Sequence, residues 1–227
     1  MKYEEILQEL RFLKNPKNVE GMARFGIRPK TKVYGVSVPK LRKMAKIIKK
    51  DHNLALELWD SGIHEARLLA GFVADAEKLT NAQMEKWTRS FDSWDIVDQV
   101  CGNLFDKTEF VYKKVFEFSK RKKEFEKRTA FTLMATLSVH NKKMKDQDFI
   151  KFFPLIEKAS NDERNFVKKA VNWALRQIGK RNVSLNKEAI ILAKKIQTLN
   201  YKSSKWIANN AIKELTSSNV QQRIKSK

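Results

Sequence analysis

Apolar residues recur at three- and four-residue spacing along almost the whole chain: Ile6, Leu7, Leu10 and Leu13; Leu54 and Leu58; Val167, Ala170, Val171, Ala174, Leu175 and Ile178; Ile190, Ile191, Ala193 and Ile196. That spacing stacks side chains on one face of a 3.6-residue helix, so the pattern predicts an all-α chain. The breaks carry residues suited to opening helices, namely Ser37 ahead of Val38-Pro39, Thr80-Asn81, Asp92-Ser93, Asn161-Asp162 and Ser203-Ser204. About a dozen helices follow. Seven glycines and four prolines in 227 residues are too few for a sandwich or barrel, which needs a turn roughly every ten residues. Neither Gly-x-Gly nor Gly-Lys-Ser/Thr occurs, so no phosphate-cradling glycine loop is expected.

Several segments read as copies of one another. VKKAVNWALRQI, starting at Val167, superposes on SKWIANNAIKEL, starting at Ser204, at an offset of about 37 residues, pairing Lys168 with Lys205, Val171 with Ala208, Ala174 with Ala211 and Ile178 with Leu215. FEKRTAFTLMATL, starting at Phe125, fits the first of these at an offset of about 41. A period of about 40 in an all-α chain is the mark of stacked helical hairpins of the HEAT type, because one hairpin cannot cover its own apolar face. The expectation is a curved α-solenoid with a concave groove, forming one domain over residues 1–227 with no linker to divide it. The first half fits the repeat only loosely, at 64–74 and 94–105.

Placing side chains on these helices singles out a few residues. In Ser93-Trp94-Asp95-Ile96-Val97-Asp98, Ser93 stands where a cap is expected and Asp95 in the first turn, where a carboxylate offsets the helix dipole. Asp98 lies past that turn and shares an edge with Trp94, i to i+4, beside the buried face of Ile96, Val97, Val100, Cys101 and Leu104. Two readings stand: a packed indole beside a solvated carboxylate, or a functional pair. Trp173 projects about 135° from the apolar centre of its helix, alongside Lys169, Arg176 and Lys180. It either fills a seam between repeats or presents an aromatic among cations, as nucleic-acid surfaces do. Arg128 points away from Ala130, Phe131, Met134 and Leu137, and its repeat position matches Lys168 or Lys169 and Lys205 or Trp206. A row of cations at equivalent positions would form a basic stripe along the groove, which Arg67 extends. Glu65 beside it is explained by the dipole alone.

Charge sharpens the picture: 47 Lys+Arg against 26 Asp+Glu give a net charge of +21. A chain this basic attracts polyanions. The basic run Lys120-Arg121-Lys122-Lys123 reads as an inter-helix loop. The single Cys101 excludes an internal disulfide or a cysteine-rich zinc site, and His52, His64 and His140 lack helical metal-ligand spacing. No metal and no cofactor are expected. No leader segment is expected in the charged start MKYEEILQELRFLKNPKN, nor any membrane contact, since no run of about 18 apolar residues occurs. Cytoplasmic residence and a monomer are the corresponding expectations.

SWDIVDQV from Ser93, EFEKRTAFTLMA from Glu124 and DERNFVKKAVNWALRQIGKRN from Asp162, with weaker support from VYGVSVPKLRKMAK and LWDSGIHEARLLA, together resemble the DNA alkylation repair family, the AlkD-like DNA glycosylases built from HEAT-like repeats. The resemblance covers nearly the whole chain. It implies an enzyme that binds alkylated double-stranded DNA in the groove and hydrolyses the N-glycosidic bond of positively charged N3- or N7-alkylated purines. By motif it makes Asp98 the catalytic carboxylate, packs Trp94 and Trp173 on the lesion's deoxyribose and sets Arg128 on backbone phosphate, while the basic stripe read from the repeat adds Lys168, Lys169, Lys205 and Arg67 as candidate DNA contacts. It also implies that the sugar is reached without drawing the base into a pocket. Ser93 departs from the family, where some active relatives carry an aromatic, and some members bind distorted or branched DNA without catalysis. Three functions therefore compete: a glycosylase, a non-catalytic binder of bent, nicked or branched DNA, and a scaffold for an acidic protein partner.

Overall fold

A computed structural model describes residues 1–226, and among them the secondary structure is fifteen α-helices and one short 3-10 helix, with no strand. The chain falls into two compact units, residues 1–109 and the remainder from Phe110 on.

The first unit runs α1 (Tyr3–Phe12), α2 (Pro16–Arg24), α3 (Val38–Ile48), α4 (His52–Asp60), α5 (His64–Val73), α6 (Asn81–Arg89), α7 (Trp94–Asn103) and the 3-10 turn Phe105–Lys107. Helix α5 is its axis, packing on α3, α4 and α7. Nearly all of its residues are buried, including the ionisable His64, Glu65 and Arg67. Gly71 lets α7 come close: a Cβ there would stand 3.0 Å from a Val100 methyl, tighter than most real contacts. Beside this core Trp59 and Trp87 stack with ring centroids 3.9 Å apart and planes within 3°. Phe91 meets the edge of Trp59, and Phe105 completes the cluster. Buried aromatics of this size bring ~1.5–3 kcal/mol each from removal of apolar surface from water.

The second unit consists of α8 (Val111–Ser119), α9 (Glu124–His140), α10 (Asp146–Ile150), α11 (Phe153–Ala159), α12 (Asn165–Gly179), α13 (Val183–Gln197), α14 (Lys202–Leu215) and α15 (Ser218–Lys225). Contacts pair them as hairpins, α8 with α9, α11 with α12 and α13 with α14, and α12 packs between α9 and α14. The three segments matched by sequence are thus the three successive helices of one layer. The same device joins them twice. Glu124 accepts a hydrogen bond from the Phe166 amide at 3.2 Å, and Glu163 accepts one from the Ser203 amide at 3.0 Å. Each bond satisfies an otherwise orphaned N–H in the first turn of the next helix.

The helix starts follow the expected chemistry only in part. Thr80 caps α6 with a full capping box to Gln83. Ser37 and Ser93 occupy the cap positions of α3 and α7 without any side-chain cap bond. Helix α12 starts after Arg164, whose amide donates to Asp162. Ser203 and Ser204 lie inside α14, both donating to the Ser160 carbonyl, and the cap position falls to Tyr201. The buried Ser203 and Ser204 hydroxyls take the tertiary partner in preference to a local one.

Candidate functional site

Helix α7 presents two carboxylates with different duties. Asp95 sits at its first turn and is held by His64, with Nε2 and Oδ2 2.8 Å apart, and by the Ser93 hydroxyl, which donates at 2.5 Å. Burial pushes the Asp95 pKa up, but the hydrogen bonds and charge of His64, the Ser93 hydroxyl and the Ile96 amide outweigh it and leave the carboxyl below its ordinary range. The hydroxyl of Ser93 is thus spent on Asp95 and not on the helix backbone. One turn on, Asp98 is half-buried. Trp94, also half-buried, donates its indole N–H to the Phe25 carbonyl at 3.0 Å, which fixes the ring against the end of α2. Helix α7 is pinned to α3 by Arg42, whose two terminal nitrogens donate to Gln99 at 3.0 Å and Asn103 at 3.2 Å while the guanidinium lies over Phe72.

Arg67 is not a groove-lining cation. Only 3% exposed, it donates to Asp92 at 3.0 Å and to the Ser90 carbonyl at 2.7 Å, and its guanidinium lies 4.7 Å from the Trp59 ring centroid. Burial draws its pKa down, against the pull of Asp92. The expectation that Arg67 extends a solvent-facing stripe is therefore corrected: its charge is consumed in tying α5 to the loop ahead of α7. Asp92 uses its other oxygen on the Lys30 amide at 2.9 Å. Glu65 likewise exceeds the role read from sequence. Fully buried, it accepts from the Tyr34 and Gly35 amides, the latter at 2.6 Å. Gly35 takes φ +78°, and a Cβ there would lie 2.3 Å from the Asn15 carbonyl oxygen, so no other residue fits this turn.

In the second unit, Trp173 on α12 is half-buried. Arg128 is 5% exposed and donates to the Phe166 carbonyl at 2.6 Å. The sequence reading of Arg128 as facing away from a buried side is corrected as well, because α9 is buried nearly all round. Lys169 and Lys205 are exposed, and Lys168 is half-buried with its ammonium 5.3 Å from the centroid of the Trp206 ring. Arg176 and Lys180 both pair with Glu214 on α14. Asp162 receives Arg164 at 2.6 Å and Lys127 at 2.9 Å.

Among the described residues no group of three or more His, Cys, Asp or Glu is placed to hold a metal ion, and no helix is long and apolar enough to cross a membrane. Cys101 is buried on the inner face of α7.

A solved structure described as a family related to the HEAT-like repeat DNA glycosylases, with affinity for branched DNA structures, superposes with a TM-score of 0.77 at 18% identity, covering 99% of this chain and 96% of that one. At that identity it shows the fold, a HEAT-like arrangement of helical repeats. An uncharacterized protein of Listeria innocua is 28% identical over 95 residues, 40% of this chain and 42% of its own length, and one of Listeria monocytogenes is 27% identical over the same span. The chain thus spans less than half the length of these curated relatives. The sequence model of one family, described as DNA alkylation repair enzyme, reaches from residue 6 to residue 215. A match of that extent takes in both compact units, and the chain belongs to the DNA alkylation repair enzyme family.

Proposed function

We propose that this protein is a DNA glycosylase acting on positively charged N3- or N7-alkylated purines in duplex DNA. The observation that carries the reading is the Trp94 and Asp98 pair on α7. Asp95 meets the electrostatic demand of the helix start, and Asp98 lies one turn on, half-buried on the same edge of α7 as Trp94. Trp94 beside it is locked by the Phe25 carbonyl, so its ring does not need to be ordered when substrate arrives.

The chemistry asks little of an acid. An alkylated purine leaves carrying the bonding pair of the glycosidic bond and becomes neutral as it does so. The positive charge passes to the deoxyribose, and water adds at C1′ and gives up a proton. A carboxylate at Asp98 stabilises that developing charge and orients the water. Trp94 offers an aromatic face to the sugar as it becomes cationic. Lys169 and Lys205, exposed on neighbouring repeats, and Lys168 meet phosphates.

The test is release of labelled methylated purines from alkylated duplex by the wild type and by Asp98→Asn, with DNA affinity measured in parallel. Release should fall at least a hundredfold in the variant while affinity changes less than about threefold. Absence of release by the wild type, with tight salt-sensitive binding, would favour a second reading: a non-catalytic binder of branched or distorted DNA. That reading draws on the described affinity of the structurally similar protein. A preference for four-way junctions over linear duplex of equal length would distinguish it.

A further inference from the structure

We propose that a basic cavity in the second unit binds the terminal phosphate of a multiply charged phosphate compound. The cavity measures about 420 Å³ and lies where the turn between α8 and α9 meets the last turns of α11 and the start of α12. Six cations line it: Lys120, Arg121, Lys122, Lys127, Lys158 and Arg164. The rest of the lining carries no charge, and Lys168, Lys169 and Lys205 take no part in it. The basic run that starts at Lys120, an inter-helix loop by sequence, supplies half of these cations.

Positive side chains gathered around one concavity repel each other, and only part of this charge is answered within the fold. Arg164 and Lys127 share Asp162, at 2.6 and 2.9 Å, and Arg121 approaches Glu126 at 3.6 Å, where Lys123 pairs as well. Lys120, Lys122 and Lys158 are exposed, and among the described residues none of the three is paired with a carboxylate. The remaining carboxylates of the surrounding helices are engaged elsewhere: Glu117 with Lys114, Glu124 with the Phe166 amide and Glu157 with Lys195. An excess of positive charge therefore converges on the cavity, whose walls concentrate its field.

Part of the wall is set before any ligand arrives. Arg164 donates to the Lys122 carbonyl at 2.6 Å as well as to Asp162, so one guanidinium fastens the turn between α8 and α9 to the start of α12. Asp162 holds Lys127 to the same point. An entering anion meets those two cations in position and has only the free lysines to order around it.

Shape selects among anions. A phosphodiester within a strand has two free oxygens, and its chain must both enter and leave. A terminal phosphate offers three oxygens and a second negative charge, and it enters end first. Cations reaching in from separate chain segments suit the terminal group, and lysines meet it as compact point charges. The volume exceeds that of one phosphate, which leaves room for an oligophosphate.

Such a group occurs on free oligophosphates and at the 5′-phosphorylated end of a DNA strand, and only the second source rests on the reading of this protein as a DNA enzyme. Calorimetric titration with inorganic tripolyphosphate tests the first. Competition between blunt duplexes with 5′-phosphate and 5′-hydroxyl ends tests the second. Both are run at physiological salt on the wild type, on the double variant Lys122→Ala with Lys158→Ala, and on Lys187→Ala with Lys194→Ala, which removes equal charge from exposed positions on α13 outside the cavity. Melting temperature confirms that each variant folds.

Tripolyphosphate affinity should fall about tenfold or more in the cavity variant and less than about twofold in the α13 variant. A preference for the 5′-phosphate end that disappears in the cavity variant alone assigns the DNA end as a source, and tripolyphosphate binding without that preference assigns the free oligophosphate. Equal losses in the two variants would reduce the site to diffuse net charge and overturn the proposal. Responses unchanged in the cavity variant, or no response from the wild type in either assay, would overturn it too. The outcome is separable from the glycosylase reading, because base release that depends on Asp98 stands whether or not this cavity holds phosphate.

Discussion

Arg67 carries a full charge into the interior of the first unit and is repaid by Asp92, the Ser90 carbonyl and the face of Trp59. Removing one member of such a set strands the others. Arg67→Ala should cost about 3 kcal/mol in urea unfolding, mostly from leaving Asp92 buried without its partner. The salt dependence of DNA binding should be unchanged, because this cation never faces solvent. Asp162 makes the opposite kind of residue-scale prediction, one in pH. Burial pushes its pKa up, but Arg164 and Lys127 pull harder and bring it down from 3.8 to about 2. A depressed carboxylate stabilises the folded state above its unfolded pKa and loses that contribution as pH falls through the folded one. Acid titration should therefore erode stability between roughly pH 4 and pH 2, by about 1 kcal/mol once solvent screening is allowed for. Asp162→Asn should flatten the curve over that window.

Between elements, the recurring glutamate at 124 and 163 is the joint of the second unit. Glu124→Ala should raise the exchange rate of the Phe166 amide about tenfold, and Glu163→Ala that of the Ser203 amide, each without loosening the other joint. Hydrogen exchange followed residue by residue checks both. This joint lies just ahead of the repeat that was legible in sequence. The small-and-apolar pattern of α12 and α14 predicted their likeness because each buries the same face, and the structure stacks them beside α9 as that likeness requires. The candidate pair Trp94 and Asp98 was legible for a similar reason, since helical spacing alone places them on one edge. What stayed hidden was every tie between distant positions. His64 with Asp95, Arg67 with Asp92 and Glu65 with Tyr34 and Gly35 join residues some thirty positions apart, and no periodicity records such pairings. Their residue types gave the wrong hint as well, because a charged residue near a helix start already has a local explanation. Ser93 and Ser203 misled for the same reason, being good caps that the fold uses elsewhere.

At the scale of the whole molecule, a net charge of +21 makes association with any polyanion strongly dependent on salt. The logarithm of DNA affinity should fall linearly with the logarithm of salt concentration, and Lys169→Ala and Lys205→Ala should each lower that slope by about 1. A slope unmoved by either would remove these lysines from the phosphate contacts. The five tryptophans divide in a useful way. Trp59 and Trp87, 4% and 1% exposed, lie face to face. Trp94 and Trp173 are half-buried, and Trp206 is 37% exposed. Indoles stacked that closely couple as one chromophore, giving a paired band in near-ultraviolet circular dichroism and contributing little emission. The molecule thus carries two separate optical signals: a dichroic band that reports the integrity of the first unit's core, and an emission dominated by the three indoles nearest to the proposed nucleic-acid contacts. Titration with DNA should quench the second while leaving the first unchanged, so that binding and unfolding can be told apart in one cuvette without any label.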